Sequence, residues 1–172
     1  MTEISEGSFS LNFGLIKLGG KLSEQDRQCA WQLYSEIVTR VAVSGKRRDR
    51  TCTDFSGEII VESLSSLYAF FQEARQIMKN FPVGKLKEED QSHLGILIHV
   101  LLTDVLRPFL ELWQADFRAW WEQQDSRKVS WFELQKQYPK YKELLNDWTN
   151  LRKLMRQLEY TLSDEYKLQR ID

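Results

Sequence analysis

Apolar side chains recur at the alternating three- and four-residue spacing of an α-helix in two long stretches of the chain. In the first stretch these positions are Ile60, Leu64, Leu67, Phe71, Ala74, Met78 and Phe81. The second stretch begins just after Pro139, a residue type that suits the first turn of a helix, and its apolar positions are Tyr141, Leu144, Trp148, Leu151, Met155, Leu158 and Leu162. Each pattern predicts a helix with one apolar face, and each face needs a partner that buries it.

Weaker patterns predict two further long helices. One begins at Ser23, ends near "SGKRRDR", and presents an apolar face made of Ala30, Tyr34, Ile37 and Val41, with Trp31 and Val38 alongside. The other runs from about Ser92 to Gln124, and a short helix capped by Ser130 then leads into the last long helix. Polar or glycine-bearing connections separate these segments, as they do between antiparallel neighbours. The sequence therefore predicts an all-α fold, an antiparallel four-helix bundle over residues 23–168 with a short extra helix before the last long helix.

The first 22 residues do not fit the helical pattern. Leu11, Phe13 and Leu15 alternate with polar or small residues as they would in a strand, and Gly19 and Gly20 interrupt whatever precedes them. We expect this segment to lie as an extended strap over the bundle. A chain of 172 residues has the usual size of one domain, so residues 1–172 are expected to form a single helical domain.

The stretch "LLTDVLRPFLELWQADFRAWW" (residues 101–121) places charged residues inside a run of large apolar ones. On a helical wheel its polar side chains share one arc, opposite the apolar face, and they are Asp104, Arg107, Glu111, Gln114 and Arg118. The arc predicts a solvated face with ion pairs among its first three charges, and it excludes a membrane-spanning helix. Because Pro108 lacks an N–H, the helix is expected to bend there.

Composition and charge narrow the classes of function. The formal net charge is −1, from 24 basic and 25 acidic residues, so no global field attracts the chain to nucleic acid or to an anionic membrane. The N-terminus has acidic residues where a signal peptide needs basic ones, which predicts a cytoplasmic protein without a membrane partner. Cys29 and Cys52 are expected to be free thiols.

Motifs for catalysis or for metal binding do not occur in the sequence. His93 and His99 are six residues apart, which does not place them on one helical face, and no GxSxG, SxxK or ExxH motif is present. We therefore expect no cofactor and no metal, and we predict that the protein is not an enzyme. A catalytic site assembled from dispersed residues remains an open alternative.

The chain has 6 tryptophans, more than a small bundle core is expected to bury completely. Trp121 projects to the edge of the polar arc, and tryptophan beside arginine is typical of the residues that anchor a protein interface. The predicted protein-interface residues are Trp121, Trp131 and Phe132, flanked by Arg118 and Arg127.

The stretch "GKRRDR" (Gly45 to Arg50) concentrates four cations, namely Lys46, Arg47, Arg48 and Arg50. Such a run can contact phosphates, in which case the affinity for nucleic acid would fall steeply with salt. The simpler interpretation is a solvated loop between helices, since no nucleic-acid-binding motif accompanies the run. Its single glycine does not make a phosphate loop, because a preceding strand and a second glycine at the required spacing are both missing.

The stretch "VLRPFL" (Val105 to Leu110), followed by Trp113, resembles a stretch in small helical bacterial proteins found in mobile or anti-phage defence gene neighbourhoods. Those relatives often have histidine after the tryptophan, where this chain has Gln114. The resemblance covers about ten residues and transfers no catalytic residue. It implies a prokaryotic origin and a role beside other components.

These observations together predict a non-enzymatic helical interaction module, a subunit or adaptor of a multi-component prokaryotic assembly, with anti-phage defence as its expected setting. Its expected partner is another protein subunit or a second copy of itself, because a homo-oligomer uses the same kind of apolar surface. The alternative is a nucleic-acid-binding accessory protein that uses the basic residues between positions 45 and 50.

Overall fold

The computed structural model describes residues 24–80, 94–124 and 129–170, and all the regular elements in these ranges are helical. The helices are α1 (Glu24–Val38), α2 (Val41–Ser44), α3 (Ile60–Lys79), α4 (Leu94–Val100), α5 (Arg107–Glu122), α6 (Trp131–Gln135) and α7 (Tyr141–Glu165). The predicted all-α class is therefore confirmed. The strap predicted over residues 1–22 lies outside the described residues.

The two helices with the clearest apolar patterns form much of the core. The buried residues of α3 are Ile60, Leu64, Leu67, Phe70, Phe71, Ala74 and Ile77. Buried apolar residues of α7 include Leu144, Trp148, Leu151, Met155, Leu158 and Leu162. The wholly buried indole of Trp148 contacts two other helices. Its ring centroid lies 5.6 Å from that of Phe109 in α5, and its Nε1 donates a hydrogen bond to the Ala42 carbonyl oxygen in α2, at 2.7 Å. The buried residues of α3 and α7 confirm most of both predicted core faces, but Met78 and Tyr141 are only partly buried, and Phe81 lies outside the described residues.

Contacts between side chains show which helix ends lie together. Gln25 at the start of α1 donates a hydrogen bond from Nε2 to the carbonyl oxygen of Asn80, just after α3, at 3.3 Å. The indole of Trp113 in α5 donates to Asp147 in α7 at 3.1 Å. The beginning of α1 thus lies beside the end of α3, and the middle of α5 lies beside the first half of α7.

The first predicted helix is shorter than its pattern indicated. Helix α1 ends at Val38, Arg40 is extended with φ −113° and ψ 107°, and the four-residue helix α2 follows. Val41 was expected on the buried face but is 45% exposed, so that prediction was wrong. Thr39 Oγ1 donates to the Ser35 carbonyl oxygen at 2.7 Å, and such side-chain hydrogen bonds compete with continued helix, as do β-branched residues.

Just before Pro108, where the sequence predicts a bend, a π-helical segment, Leu101–Leu106, lies between α4 and α5. The N–H of Arg107 donates to the carbonyl oxygen of Leu102, five residues earlier, which is the hydrogen-bond register of a π-helix. Because Pro108 has no N–H, the ordinary α-helical register cannot continue through this position. The chain thus remains helical on both sides of the proline.

The charged arc of this helix is exposed, as predicted for Asp104, Arg107 and Glu111. The expected ion pairs among these three described residues do not form. Asp104 instead accepts a hydrogen bond from Thr103 Oγ1 at 2.8 Å. Within the part of the chain that the structure describes, no helix is both long enough and apolar enough to span a membrane.

Two smaller predictions are also confirmed. Ser130 caps α6, since its Oγ accepts a hydrogen bond from the Glu133 N–H at 3.4 Å. Cys29 and Cys52 are both free and buried. Burial raises the pKa of both thiols above the usual value, which disfavours their thiolate forms at neutral pH.

Candidate interaction surfaces

An aromatic cluster gathers where the end of α5 meets α6, and its members are Phe117, Trp120, Trp121, Trp131 and Tyr138. Phe117 is completely buried at its centre. The Phe117 ring centroid lies 5.9 Å from that of Trp121, in a stacked arrangement, and 5.0 Å from that of Tyr138, edge to face. These are distances at which aromatic rings attract one another beyond the burial of their area.

The outer part of this cluster is exposed, and we call Trp121, Trp131 and Phe132 the aromatic surface. Trp131 is 47% exposed and Phe132 is 44% exposed. Trp121 is partly buried, because Phe117 stacks on it and Trp131 lies nearly perpendicular to it, with 5.8 Å between the ring centroids of the two indoles. The structure thus places two of the predicted interface residues, Trp121 and Trp131, in direct contact. Trp120 is also only partly buried.

Polar contacts fix the segment that follows α6. The Tyr138 hydroxyl donates a hydrogen bond to the Asp116 carboxylate of α5, and Lys140 Nζ lies 3.1 Å from the same carboxylate. The hydrogen bond from Tyr138 lowers the pKa of Asp116, while burial and the bonded carboxylate raise the pKa of the Tyr138 hydroxyl. Both directions favour a neutral tyrosine that donates to an ionised aspartate, so the contact persists at neutral pH.

The buried side chain of Gln135 attaches α6 to the beginning of α3. Its Oε1 accepts from the Ile60 N–H at 2.9 Å, and its Nε2 donates to the Glu58 carbonyl oxygen at 2.9 Å. Ile60 opens α3, whose first N–H groups have no partner within the helix, so Gln135 satisfies one of them. Sequence reasoning missed this role of Gln135, because the pairing joins residues 75 positions apart and leaves no local pattern.

The two arginines predicted to flank the aromatic surface have different outcomes. Arg118 is exposed and donates from Nη2 to Ser65 Oγ of α3 at 3.5 Å, so its guanidinium lies at a groove between α3 and α5. Arg127 lies outside the described residues.

The basic run forms the loop between α2 and α3, and we call Lys46, Arg47, Arg48 and Arg50 the basic loop. Lys46 is engaged inside the loop: its Nζ donates to the Ser56 carbonyl oxygen at 2.6 Å and forms an ion pair with Asp54 at 2.9 Å. The three arginines are exposed. The available positive charge of the loop therefore comes from the arginines.

Arg156 of helix α7 forms hydrogen bonds with the backbone at the start of this loop. The guanidinium of Arg156 donates to the carbonyl oxygens of Ser44, at 2.7 Å, and of Lys46 and Asp49. The Asp49 carboxylate in turn accepts from the hydroxyl of Thr51, at 2.6 Å, and from the N–H groups of Thr51 and Asp54. Led by the Thr51 hydroxyl, these hydrogen bonds lower the pKa of Asp49 to about 2. The loop is thus held by many internal hydrogen bonds.

A buried ion pair anchors the far end of the same loop. Arg152 of α7 is completely buried, its Nη2 lies 2.6 Å from the Glu58 carboxylate, and its guanidinium lies 4.1 Å from the Phe55 ring centroid. Gly45 has φ +73°, and a Cβ added there would lie 3.3 Å from Cδ of Arg152. Arg152 and the loop therefore occupy adjoining, tightly filled space. Sequence reasoning did not identify Arg152, whose position within an apolar helix face gave no separate signal.

Comparison with known protein families, with curated proteins and with solved structures finds no match to this chain.

Proposed function

We propose that this chain is a non-enzymatic helical interaction module, a subunit or adaptor of a multi-component prokaryotic assembly that acts in the cytoplasm. Anti-phage defence is the setting implied by the resemblance of the "VLRPFL" stretch. The observation that carries the proposal is the aromatic surface, where Trp131 and Phe132 are about half exposed on a short helix. Its partner is another protein subunit or a second copy of this chain.

The supports beneath the aromatic surface favour this function over a merely incidental exposure. Ser130 caps α6, Gln135 joins it to α3, and Tyr138 joins the following segment to α5. An aromatic side chain has only two rotatable bonds, and a helix held at three points loses little further freedom on binding. A preorganised aromatic surface can therefore bind a partner with a small entropic cost.

The proposal includes the antiparallel arrangement of the four long helical segments. The contact of Gln25 with Asn80 and that of Arg118 with Ser65 support it, since each brings one end of α3 to the opposite end of a neighbouring helix. In such a bundle α6 lies in a connection rather than in the core, which leaves its outer face available to a partner.

The test begins with purification from the native host at low salt, identification of stoichiometric partners and measurement of the oligomeric state. The variant Trp131→Ala/Phe132→Ala should lose the partner, or should dissociate a homo-oligomer. A matched control is Tyr160→Ala, because Tyr160 is a 53% exposed aromatic residue on α7. If the double variant kept every partner and the same oligomeric state, the proposal would be rejected.

The second candidate function is a nucleic-acid-binding accessory protein that uses Lys46, Arg47, Arg48 and Arg50. The exposure of Arg47, Arg48 and Arg50 on a hydrogen-bonded loop favours it, because fixed cations lose little freedom when they contact phosphates. This function predicts an affinity for nucleic acid that falls steeply with salt. Arg47→Glu/Arg48→Glu should abolish that binding without unfolding the chain, whereas Lys142→Glu on α7 should leave it unchanged. Binding that is insensitive to salt and to the loop variant would exclude this candidate.

A further inference from the structure

A groove of about 930 Å³ runs between α3 and α5, and neither the aromatic surface nor the basic loop uses it. We call it the α3–α5 groove, and its principal residues are Tyr68, Phe71, Arg75, Arg107, Leu110 and Arg118. Small side chains, those of Ser65 and Ala115, also line it and leave room between the helices.

The floor of the groove is apolar. Phe71 and Leu110 are 9% and 7% exposed, so they present a small remaining area between the two helices. Tyr68 stands on the rim at 43% exposure and stacks against Phe71, with 6.3 Å between the ring centroids. An apolar floor with an aromatic rim between two helices is the geometry that receives the apolar face of a third helix.

Three exposed arginines lie at the two ends of this floor. Arg118 contacts Ser65 at one end, and Arg75 and Arg107 lie ten or eleven residues away along their helices, which corresponds to about 16 Å. Among the described residues no carboxylate pairs with any of the three. The side-chain contacts of Arg75 are weak, since its guanidinium lies 3.4 Å from the Gln72 amide oxygen and 5.9 Å from the Phe71 ring centroid.

Some other cations in the described ranges have close carboxylate partners, whereas these three arginines, like those of the basic loop, have none there. Arg40 pairs with Glu36 at 2.7 Å, and Lys136 pairs with Glu133 at 2.6 Å, although both pairs are partly or largely exposed. The α3–α5 groove thus has an excess of positive charge that the described part of the chain does not neutralise, and this charge is complementary to an acidic ligand.

Glu111 favours one class of acidic ligand, a peptide helix, over a nucleic acid. It lies between Arg107 and Arg118 on the same face of α5 and lines the groove, so the charges along α5 read positive, negative, positive. A nucleic-acid backbone is negative throughout and would be repelled at Glu111. A helix with carboxylates at both ends and a basic or amide side chain between them matches all three charges.

We propose that the α3–α5 groove binds an acidic amphipathic helix of a partner protein. Its carboxylates pair with Arg75 and Arg107 at one end and with Arg118 at the other, while its apolar face covers Phe71 and Leu110 beside Tyr68. The two acidic positions lie about eleven residues apart, or about 16 Å along a helix. This inference is independent of the aromatic surface, which the Trp131→Ala/Phe132→Ala variant tests separately.

The test selects ligands from a displayed library of helical peptides about 16 residues long, which are about 24 Å in length, against the full chain. A second selection uses the variant Arg75→Glu/Arg107→Glu. We expect peptides enriched only by the unmodified chain to carry acids about eleven residues apart with apolar residues between them. Enrichment of the same peptides by both proteins, or no enrichment of acidic peptides, would overturn the proposal.

The affinity of an enriched peptide is then measured by fluorescence anisotropy with the full chain. Arg75→Glu/Arg107→Glu should weaken its binding at least about ten-fold, since attraction becomes repulsion at one end of the groove. The control Arg27→Glu reverses an exposed arginine on α1 and should leave the affinity unchanged. Glu111→Lys should weaken the binding of peptides that have a central basic residue. Circular dichroism verifies that each variant remains folded.

A labelled single-stranded oligothymidylate is measured with the same proteins to separate the two classes of acidic ligand. If it bound more tightly than the selected peptide, and if the double variant abolished that binding, the groove would be a nucleic-acid site and the proposal would be wrong. Binding of the peptide that persists in Trp131→Ala/Phe132→Ala would distinguish this groove from the aromatic surface.

Discussion

The basic loop and the aromatic surface differ in how much contact their side chains make with the rest of the chain. In the loop, Lys46 pairs with Asp54, and Arg156 of α7 donates to the carbonyl oxygens of Lys46 and Asp49, as well as to that of Ser44 at the end of α2. At the aromatic surface, the exposed parts of Trp131 and Phe132 face away from the core. The hydrogen bonds of the loop fix the conformation of its own backbone. Those around α6 instead hold a helix whose outer side chains are exposed and apolar.

The number of cations in the sequence run exceeds the number that a partner can reach, because Lys46 is paired within the loop while Arg47, Arg48 and Arg50 are exposed. The strongest cation contacts near the loop come from α7, and both Arg152 and Arg156 serve the chain's own carboxylate or carbonyl oxygens. Substitutions at these supports should therefore affect folding, while substitutions at the aromatic surface should affect binding.

The largest effect is expected at Arg152. Arg152→Ala would leave the Glu58 carboxylate, whose side chain is only 9% exposed, without its charged partner, and removal of one member of a buried pair costs about 3–5 kcal/mol. Chemical denaturation measures the loss. Adding Glu58→Gln should recover part of it, because an amide is less costly to bury than an unpaired charge. An unchanged denaturation midpoint for Arg152→Ala would show that the pair does not support the loop.

The next effect concerns the contact between the loop and α7. Gly45→Ala should destabilise the fold by about 2 kcal/mol, because alanine strains the positive φ and its Cβ crowds Arg152. Gly57 provides a matched control: it has φ +77° with no atom within 4 Å of an added Cβ, so Gly57→Ala should cost about 1 kcal/mol. Thermal unfolding compares the two, and equal losses would mean that Arg152 tolerates the methyl group.

At the aromatic surface we expect a smaller loss of stability. Trp121→Ala removes contacts with Phe117 and Trp131 and should cost about 1–2 kcal/mol, less than a fully buried tryptophan. Phe132→Ala should change the free energy of unfolding by about 0.5 kcal/mol or less, as is usual for exposed residues. Denaturant titration of both variants provides the measurement. A large loss for Phe132→Ala would identify the residue as structural and would weaken its assignment to an interface.

The smallest effect is the pH dependence of the loop. The pKa of Asp49 is about 2 in the folded chain, below the value of about 3.9 usual for an unfolded chain, so the unfolded state binds more protons between these values. The contribution of this carboxylate is present above about pH 4 and is lost as pH falls through about 2. Carboxyl-carbon NMR should give a midpoint near 2, and Asp49→Asn should remove the signal. A midpoint near 4 would contradict the hydrogen-bonded loop.

Much of the fold was predictable because α3 and α7 bury continuous apolar faces, and burial of apolar area at helical spacing is a local property of the sequence. The end of α1 was not predictable, because the helix stops before Thr39, Arg40 is extended, and Val41 is exposed. Among the site residues, Trp121 and Trp131 are in contact, which the sequence did not predict, because their interface assignment was made for each residue separately. Arg118 contacts Ser65 instead, since its neighbours on α3 depend on how two helices pack.

The sequence by itself determined the helical class, the buried faces of α3 and α7, the capping of α6 and the exposed charged arc of α5, because spacing and residue type act within a few turns. Only the tertiary structure decided that Gln135 supports α3, that Arg156 binds the basic loop, and that three arginines border one groove. These contacts join residues far apart in the chain. Their partners depend on the direction and packing of whole helices, which periodicity does not specify.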